Sequence, residues 1–401
     1  MTNIAILGFG IVGNGVAEMI AKNSAEIKKA GGEEINIKYI LDLKDFPDSP
    51  FADKVIHDYN VILSDKSISI VVEVMGGSHP AYEYTVSALK AGKSVVTSNK
   101  EVVANFGDEF LALAKENGVS YRFEAAVGGG IPVISPIITC VAQNKIREVR
   151  GILNGTTNYI LTKMFSFGDS FESALADAQA RGYAEANPDA DVLGLDAARK
   201  IVILAALVTG SLVSPDNIHT EGITKIRKAD VLAVGKIGAS IKLVGRCICN
   251  DSDAPYLLVA PFVISNDSPL STVCGVYNAI EVVGEPIANV MFYGRGAGAG
   301  PTASAVVGDV VQTVVCTDIG LARFEKSEKV RCFADFKCKN YFAFDKSAKT
   351  SIESVFGNVD FIDSDECAFI TDEMSEAESE LKIKELSTLG FSPLSKIRLL
   401  Q

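Results

Sequence analysis

The chain has 401 residues, of which 48% are hydrophobic, and a formal net charge of −12 at pH 7. This length predicts two or three domains with substantial cores. The acidic balance and the lack of a basic cluster argue against nucleic acid or an anionic membrane surface as a partner. No apolar run approaches the roughly 18–20 residues of a membrane span. Eight scattered cysteines without a CxxC pair, and three separated histidines, indicate reduced thiols in a cytoplasmic protein without a zinc-type site.

The first predicted element is a short strand, residues 3–7, which runs into a glycine-rich turn and then a helical pattern. The turn reads Gly8-Phe9-Gly10-Ile11-Val12-Gly13. In this G-x-G-x-x-G context the glycines permit a tight turn, the approach of a pyrophosphate to the backbone and close helix packing. The helix N-terminus then offers N–H groups to phosphate. We interpret the turn as a dinucleotide site rather than a turn without a ligand, and we expect no signal peptide before it.

A second strand is predicted at residues 36–41, after a polar segment longer than is usual in this motif. Asp42 follows the strand directly, and a carboxylate there suits a ribose hydroxyl of NAD. Lys44 lies two residues further and suits a phosphate of NADP instead. The residues alone leave both cofactors open.

Strands predicted at 68–74, 94–97 and 121–127 alternate with helices at 80–91 and 102–116. Such alternation predicts a parallel, doubly wound sheet. Lys100 follows the strand predicted at 94–97 and lies at its carboxyl end, where ligands of open α/β sheets bind; its alternative is a solvent position beside the helix cap Asn99. Three glycines at 128–130 indicate either backbone carbonyls that bind a cation or a hinge.

The pattern changes beyond residue 133. Strands predicted at 147–153, 241–248, 256–264 and 288–293, with a helix at 159–165, indicate an α+β domain whose open sheet needs a partner subunit to cover it. A second glycine-rich loop at 294–302 precedes a helical run, 303–315, that returns to the first domain. Within the acid-rich stretch 182–200, a helix starting near Gly194 would place Asp196 and Lys200 one turn apart. This pair either lines a cleft or is an ordinary surface ion pair.

The last part of the chain, from about residue 327, is richer in Lys, Phe, Asp and Glu. Strands are predicted at 330–337, 359–363, 367–371 and 394–399, and helices at 346–356 and 375–389. This order is a compact β-α-β-β-α-β unit.

Several long motifs together resemble homoserine dehydrogenase along about residues 1–325. They are GFGIVGNG, TSNKE, FEAAVGGGIPVI, GILNGTTNYIL, the stretch 182–200 and GRGAGAGPTASAVVGD. The resemblance implies NAD(P)H-dependent reduction of aspartate semialdehyde to homoserine, a step toward threonine and methionine. The residues agree, because an aldehyde oxygen that receives a hydride's charge needs a cation and a proton.

The resemblance also implies roles for individual residues. The cofactor residues are Gly8, Phe9, Gly10, Ile11, Val12, Gly13, Asp42 and Lys100. The catalytic residues are Lys200, Lys100 and Asp196, and which lysine donates the proton stays open. The substrate residues are Glu185, Asp191, Tyr183 and Thr157. A structural monovalent cation, sodium, is implied at Glu124 and at the backbones of Val127, Gly129 and Ile131.

The implied fold is α/β: a doubly wound Rossmann-type domain (residues 1–133 plus about 306–325), an α+β catalytic and dimerisation domain (134–305) and a ferredoxin-like ACT-type domain (326–401). A homodimer or homotetramer acting on a small molecule is implied. Two departures matter. Leu41 stands where the family often has arginine, which favours NADH. Cys338-Lys339-Asn340 replaces the Pro-Gly turn that ACT-type domains commonly use, so feedback by threonine stays open.

Two rival functions follow from the same residues. An aldehyde dehydrogenase such as aspartate semialdehyde dehydrogenase would need a cysteine nucleophile beside a histidine base. Cys140 and Cys274 have no histidine near them in the sequence. An inactive amino-acid sensor on this scaffold would have lost the lysines or acids, and these are present.

Overall fold

The computed structural model describes residues 1–249, 254–316 and 322–400. The chain forms two compact units, each assembled from three segments. The first comprises Met1–Ile146, Val202–Pro215 and Val283–Glu328, and the second comprises Arg147–Ile201, Asp216–Val282 and Lys329–Gln401. Within the described residues, every helix is too short or too polar to span a bilayer.

The first unit is built on a six-stranded parallel sheet. In spatial order its strands are Val55–Ile56, Ile35–Leu41, Thr2–Leu7, Ile68–Glu73, Ser94–Thr97 and Tyr121–Arg122. The order reverses at the first strand of the chain, which is the doubly wound arrangement with its ligand crevice at the carboxyl edge. The sequence prediction of this sheet is therefore confirmed.

Helices cover this sheet. They are Ile11–Lys22, Ser24–Gly31, Tyr59–Ser64, Ala81–Lys90, Lys100–Glu116 and Ala299–Val315. The predicted return of the last of these to the first unit is confirmed, since a Cβ at Gly15 would lie 3.2 Å from the Ala299 carbonyl oxygen and 3.3 Å from the Ala303 Cβ. Valines of this helix share one core with Ile4 and Ile6.

One prediction in the first unit is wrong, and one helix was not predicted. The strand predicted at 121–127 ends at Arg122, and the small residues after it form a helical turn, Ala125–Gly128. A short apolar run fits a strand and a buried helical turn equally well, so periodicity does not separate them. The polar segment before the second strand is a helix, Ser24–Gly31, which ends at Gly32 in the left-handed conformation (φ +78°).

The remaining elements of the first unit are short, apart from one strand. They are the helical segments Ile134–Pro136 and Ile137–Val141 and the strands Ser211–Leu212, Ala288–Arg295 and Glu325–Lys326.

The second unit is built on a long mixed sheet. In spatial order its strands are Tyr277–Glu285, Lys145–Ile152, Ala239–Ile248, Tyr256–Ser265, Ser395–Leu399, Asn340–Phe344, Cys367–Ile370 and Phe361–Ile362. His219–Thr220 pairs in parallel beside Tyr256–Ser265, and Lys337–Cys338 pairs with Met374–Ser375. The helices that lie or begin in this unit are Gly155–Phe167, Phe171–Ala180, Asp189–Val192, Leu195–Thr209, Lys228–Lys236, Lys349–Phe356 and Glu376–Thr388.

The C-terminal part has the predicted β-α-β-β-α-β order, but its first strand is Asn340–Phe344 rather than residues 330–337. In that earlier stretch Phe333–Asp335 forms a 3-10 turn, and Phe336 fills the core without pairing as a strand. Cys338 and Lys339 therefore precede the first strand and Asn340 begins it, and the turn that follows this strand begins at Asp345. The turn after the first strand thus reads Asp345-Lys346-Ser347, and the prediction that Cys338-Lys339-Asn340 stands there is wrong.

The last strand, Ser395–Leu399, joins the C-terminal part to the rest of the second unit. It pairs antiparallel with Asn340–Phe344 on one side. On the other side it pairs in parallel with Tyr256–Ser265, with Arg398 opposite Phe262. The C-terminal strands therefore continue the sheet of the second unit rather than forming a separate one.

Candidate active site

The glycine turn of the first unit has one open face and one closed face. Gly8 has φ +93°, and a Cβ at Gly13 would lie 2.0 Å from the Gly8 carbonyl oxygen. In contrast, a Cβ at Gly10 would meet nothing within 4 Å. The next residue, Ile11, is 78% exposed although it is apolar. Space above Gly10 beside an exposed apolar side chain is the arrangement that a dinucleotide needs at a helix N-terminus.

Asp42 lies beside this turn. Its carboxylate accepts hydrogen bonds from the backbone N–H of Phe9 at 2.7 Å and of Lys44 at 3.0 Å. The Phe9 ring points away into the core, where it packs edge-on against Phe46 at 5.0 Å between centroids. Phe9 thus contributes to the site through its backbone N–H. Leu41, which precedes Asp42, is buried.

Lys100 begins the helix Lys100–Glu116 and is half-buried at the carboxyl edge of the sheet, as predicted. Asn99 caps this helix, and its side chain also donates to the Gly77 carbonyl oxygen at 2.8 Å. Beneath them lies a buried acid, Glu73, which accepts from Thr97 Oγ1 at 2.6 Å. Burial raises the pKa of Glu73 to about 7. Sequence reasoning did not single out Glu73, which lies within the strand predicted at 68–74, because its partner Thr97 lies on a different strand.

The second unit holds the predicted lysine–aspartate pair. The helix Leu195–Thr209 begins where the sequence predicted, and it places Lys200 Nζ 2.7 Å from Asp196 Oδ2. Lys200 also donates to the Leu153 carbonyl oxygen at 2.7 Å. The two residues are 7% and 4% exposed, respectively. The alternative of an ordinary surface ion pair is therefore wrong.

Asn154 joins this pair to a third acid. Its amide Nδ2 donates to Asp191 Oδ1 at 2.7 Å and to Asp196 Oδ2 at 2.9 Å, while its Oδ1 accepts from the Thr157 N–H and caps the helix Gly155–Phe167. Burial raises the pKa of Asp191, and the nearby Asp196 charge adds to this. Sequence reasoning missed Asn154, although it lies in the motif GILNGTTNYIL, because its partners are about forty residues away in the chain.

The other predicted substrate residues surround this group in different ways. Thr157 is buried, and its hydroxyl donates to Asn154 Oδ1 at 3.0 Å, so it supports Asn154. Tyr183 is 42% exposed and packs edge-on against Tyr159, and Glu185 is exposed. The structure therefore brings Asp191, Asp196 and Lys200 together and leaves Glu185 on the surface of the same unit.

The predicted cation residues lie in the first unit, around a buried carboxylate. Glu124 accepts hydrogen bonds from the N–H groups of residues 133, 134 and 135 at 2.6–2.8 Å. Val127 and Ile131 are buried, and Gly129 has φ +57°, with its Cα facing the Gly296 carbonyl. In the described ranges, no three His, Cys, Asp or Glu side chains are placed to hold a metal ion. Glu124 thus caps the helical segment that follows the three glycines.

The chain matches known proteins over both units. Residues 8–124 match the family described as "Homoserine dehydrogenase, NAD binding domain", and residues 132–311 match "Homoserine dehydrogenase". A homoserine dehydrogenase of Synechocystis is 43% identical over 322 residues, which are 78% of this chain and 73% of the relative. The chain belongs to the homoserine dehydrogenase family. It is an NAD(P)-dependent oxidoreductase that acts on the CH–OH group of homoserine.

Solved homoserine dehydrogenases share the fold. One from Thiobacillus denitrificans has a TM-score of 0.91 at 29% identity and covers 100% of this chain and 98% of its own. A hyperthermophilic archaeal homoserine dehydrogenase mutant in complex with NADPH has a TM-score of 0.67 at 30% identity, over 78% of this chain and 97% of that chain. The first of these matches extends through the C-terminal part of this homoserine dehydrogenase.

The histidines do not support the rival aldehyde dehydrogenase chemistry. His57, His79 and His219 pair with Asp45, Glu83 and Glu221, respectively. No hydrogen bond between a histidine and a cysteine is present among the residues described. In the described part of the chain, each histidine is therefore paired with an acid rather than with a cysteine.

Proposed function

We propose that Lys200 protonates the substrate oxygen in the interconversion of L-aspartate 4-semialdehyde and L-homoserine. The observation that carries this role is the buried Asp196–Lys200 pair. The nicotinamide cofactor supplies the hydride when the aldehyde is reduced, which leaves negative charge on the aldehyde oxygen. An ammonium group held in a largely buried position stabilises that charge and donates the proton. Asp196 and the Leu153 carbonyl orient the ammonium.

We assign the substrate's own ammonium group to carboxylates of the same unit. Asp191 lies beside Asp196 through the shared Asn154 amide, so a cation there would meet a carboxylate at hydrogen-bonding reach. Glu185 and Tyr183 are the exposed members of this set. Lys100 remains a second candidate for catalysis, on the strength of its position at the carboxyl edge of the first unit's sheet.

The proposed role of Lys200 is tested by Lys200→Ala. Loss of a positioned general acid should lower kcat by about 10²–10⁴-fold, while NADH binding followed by nicotinamide fluorescence stays unchanged. Arg199→Ala is the matched control, because it removes a neighbouring cation that is only half-buried. Near-normal turnover of Lys200→Ala would contradict the assignment and favour Lys100.

We further propose a preference for NAD over NADP. The Asp42 carboxylate is fixed at the glycine turn by two backbone N–H groups, where it suits a ribose hydroxyl and repels a phosphate. Leu41 is buried and offers no cation. Initial rates of homoserine oxidation with each cofactor test this, and a shift toward NADP in Asp42→Ser is expected. An NADP preference in the unaltered chain would assign the phosphate to Lys44.

A monovalent cation such as sodium is proposed at Glu124 and the backbone carbonyls of Val127, Gly129 and Ile131. Oxygen donors suit hard cations. Glu124 accepts three N–H bonds, and a carboxylate offers about four lone-pair positions, so acceptor capacity for one further partner remains. A higher thermal midpoint in sodium chloride than in choline chloride, lost in Glu124→Gln, would support the site. Equal midpoints would refute it.

We propose that residues 326–401 form an ACT-type domain that responds to threonine. The β-α-β-β-α-β order and the turn at Asp345 support this assignment. Rates of homoserine oxidation with and without threonine test the response. A homodimer or homotetramer is proposed as well, since Met291 and Tyr293 are exposed on one strand; light scattering of the purified protein measures its mass. A cytoplasmic location is proposed separately, from the scattered cysteines of the sequence.

A further inference from the structure

A buried arginine on the last strand reaches toward the catalytic part of the second unit. Arg398 is 2% exposed. Its Nη1 and Nη2 donate to the two carboxylate oxygens of Glu221 at 2.8 and 3.0 Å, and its Nε donates to Glu376 at 2.6 Å. Because guanidinium–carboxylate pairs of this bidentate kind fix orientation as well as distance, Glu221 is held in one position.

Glu221 is held from its other side too. His219 Nε2 lies 2.7 Å from Glu221 Oε1, and the His219 ring stacks on Phe333 at 3.5 Å. The Glu221 N–H donates to the Val259 carbonyl oxygen at 2.7 Å. Burial opposes its charge, but hydrogen bonds from His219 and Arg398 lower the pKa of Glu221 to about 2. The Glu221 carboxylate therefore stays ionised at neutral pH.

Gly222, the residue after Glu221, lies directly against residues 192–193, which follow the proposed substrate residue Asp191. A Cβ at Gly222 would lie 2.0 Å from the Val192 carbonyl oxygen and 2.5 Å from the Leu193 Cα. Ile223 N–H donates to that same carbonyl at 2.8 Å. The backbones of residues 221–223 and 192–193 are therefore in direct contact, at a point where only a glycine fits.

The contacted segment lies between the acids of the site. Asp191 comes directly before Val192, and the Gly194 N–H donates to the Asp191 carbonyl oxygen at 2.9 Å. Gly194 then leads into the helix that carries Asp196. A shift of this segment therefore displaces Asp191 first. Asn154 binds both carboxylates, but Asp196 is also held by Lys200 and lies within the helix that carries both residues.

We propose that Arg398 is a positioning residue for the substrate site. Through the Glu221 carboxylate and the Gly222 backbone it fixes Val192–Gly194 and hence the place of Asp191. The C-terminal strand thereby sets the affinity for homoserine. This inference rests on the proposed role of Asp191 in holding the substrate's ammonium group.

The test compares Arg398→Gln and Glu221→Gln with Lys396→Gln in the full-length enzyme. Lys396 lies on the same strand and pairs with Glu376 and Glu380, but not with Glu221. We expect the first two variants to raise KM for homoserine about tenfold with kcat and KM for NAD within about twofold, since one charged contact is loosened rather than removed. Lys396→Gln should leave all three constants unchanged. Arg398→Lys should restore part of the lost affinity.

A double variant separates this inference from the function on which it rests. In an Asp191→Asn background, Glu221→Gln should add little to KM, because both changes act on one contact. Unchanged KM in Asp191→Asn would overturn the proposed function, and the present inference with it. Raised KM in Asp191→Asn but not in Glu221→Gln would overturn the present inference alone. Glu221 is partly exposed, so its variant decides the matter if Arg398→Gln does not fold.

Discussion

Some side chains of this enzyme have partners nearby in the chain, and others have partners that are distant in the chain. The i,i+4 spacing predicted that Asp196 and Lys200 face each other, because one helix contains both. Asn154 was not predictable in its role, since it acts only where the helix Gly155–Phe167 meets the acid-rich stretch. Glu73 was equally hidden, because its burial depends on the strands packed around it.

Substrate affinity should depend on the protonation of Asp191. Burial raises the pKa of Asp191 above the ordinary value of 3.8. The carboxylate that holds an ammonium group is therefore lost as the pH falls through this raised pKa, and KM for homoserine should rise there while KM for NAD stays flat. The measurement is KM against pH, and Asp191→Asn should abolish the acid limb. Asp189→Asn, which changes an exposed neighbour, should retain it.

Glu73 should make the stability of the fold depend on pH. Its pKa is about 7 in the folded protein and ordinarily 4.5. A raised carboxyl pKa stabilises the fold fully below the ordinary value, and this contribution is lost as the pH rises through about 7. The difference between these two pKa values corresponds to a change of about 3 kcal/mol in the free energy of unfolding. The measurement is the thermal midpoint at pH 5 and at pH 8. The difference between these two midpoints should be smaller in Glu73→Gln than in the unaltered chain. The variant Glu116→Gln, which changes an exposed residue, should show the same difference as the unaltered chain.

At the scale of elements, the glycine turn contains glycines that are needed for different reasons, some by the fold and some by the ligand. The motif predicted that all three glycines matter, yet the structure shows that they matter differently. Gly13 is required by the turn itself, because its Cα faces the Gly8 carbonyl. Gly10 faces open space, so its requirement comes from what binds there.

Two alanine substitutions should reveal that difference. Gly10→Ala should keep the thermal midpoint of the unaltered enzyme but raise KM for NAD at least about tenfold, since the new methyl group occupies the approach of the pyrophosphate. Gly13→Ala should lower both the midpoint and the affinity. Gly308→Ala, where a Cβ also meets nothing within 4 Å, is the control that should change neither. Unaltered NAD affinity in Gly10→Ala would place the cofactor elsewhere.

The elements that sequence reasoning assigned wrongly share a physical cause. Residues 121–127 and 330–337 are short stretches rich in apolar side chains, for which the sequence predicts strands. In the first stretch the chain turns into the buried helical segment Ala125–Gly128. In the second, Phe333–Asp335 forms a 3-10 turn without a buried residue, and the buried Phe336 follows it. Apolar content predicts burial; strand formation also needs a neighbouring strand in register, which a local pattern does not show.

At the scale of the molecule, the long sheet of the second unit makes its C-terminal part a structural component. Ser395–Leu399 covers an edge of Tyr256–Ser265 that includes the fully buried Phe262. Without that cover, unpaired backbone and apolar side chains would reach the surface, which favours association between copies.

Removing residues 326–401 should therefore cause self-association and not simply the loss of a threonine response. Light scattering should show aggregates, and the thermal midpoint should fall. A lysine at the uncovered edge, in Val263→Lys of the shortened chain, should restore part of the monodisperse fraction, because charges on edge strands oppose pairing. A shortened chain that keeps the oligomeric state and the thermal midpoint of the full-length chain would contradict this role of the C-terminal part.

The order of the strands also bears on how the enzyme is made. Ser395–Leu399 comes later in the chain than the other described strands of its sheet, yet it lies between two of them. During synthesis from the N-terminus, the strand Tyr256–Ser265 emerges from the ribosome long before its neighbour exists. The first unit needs only residues up to 328. The nascent chain should thus acquire a cofactor-binding half early and a substrate-binding half only at the end of translation, with an open sheet edge for chaperones to protect in between.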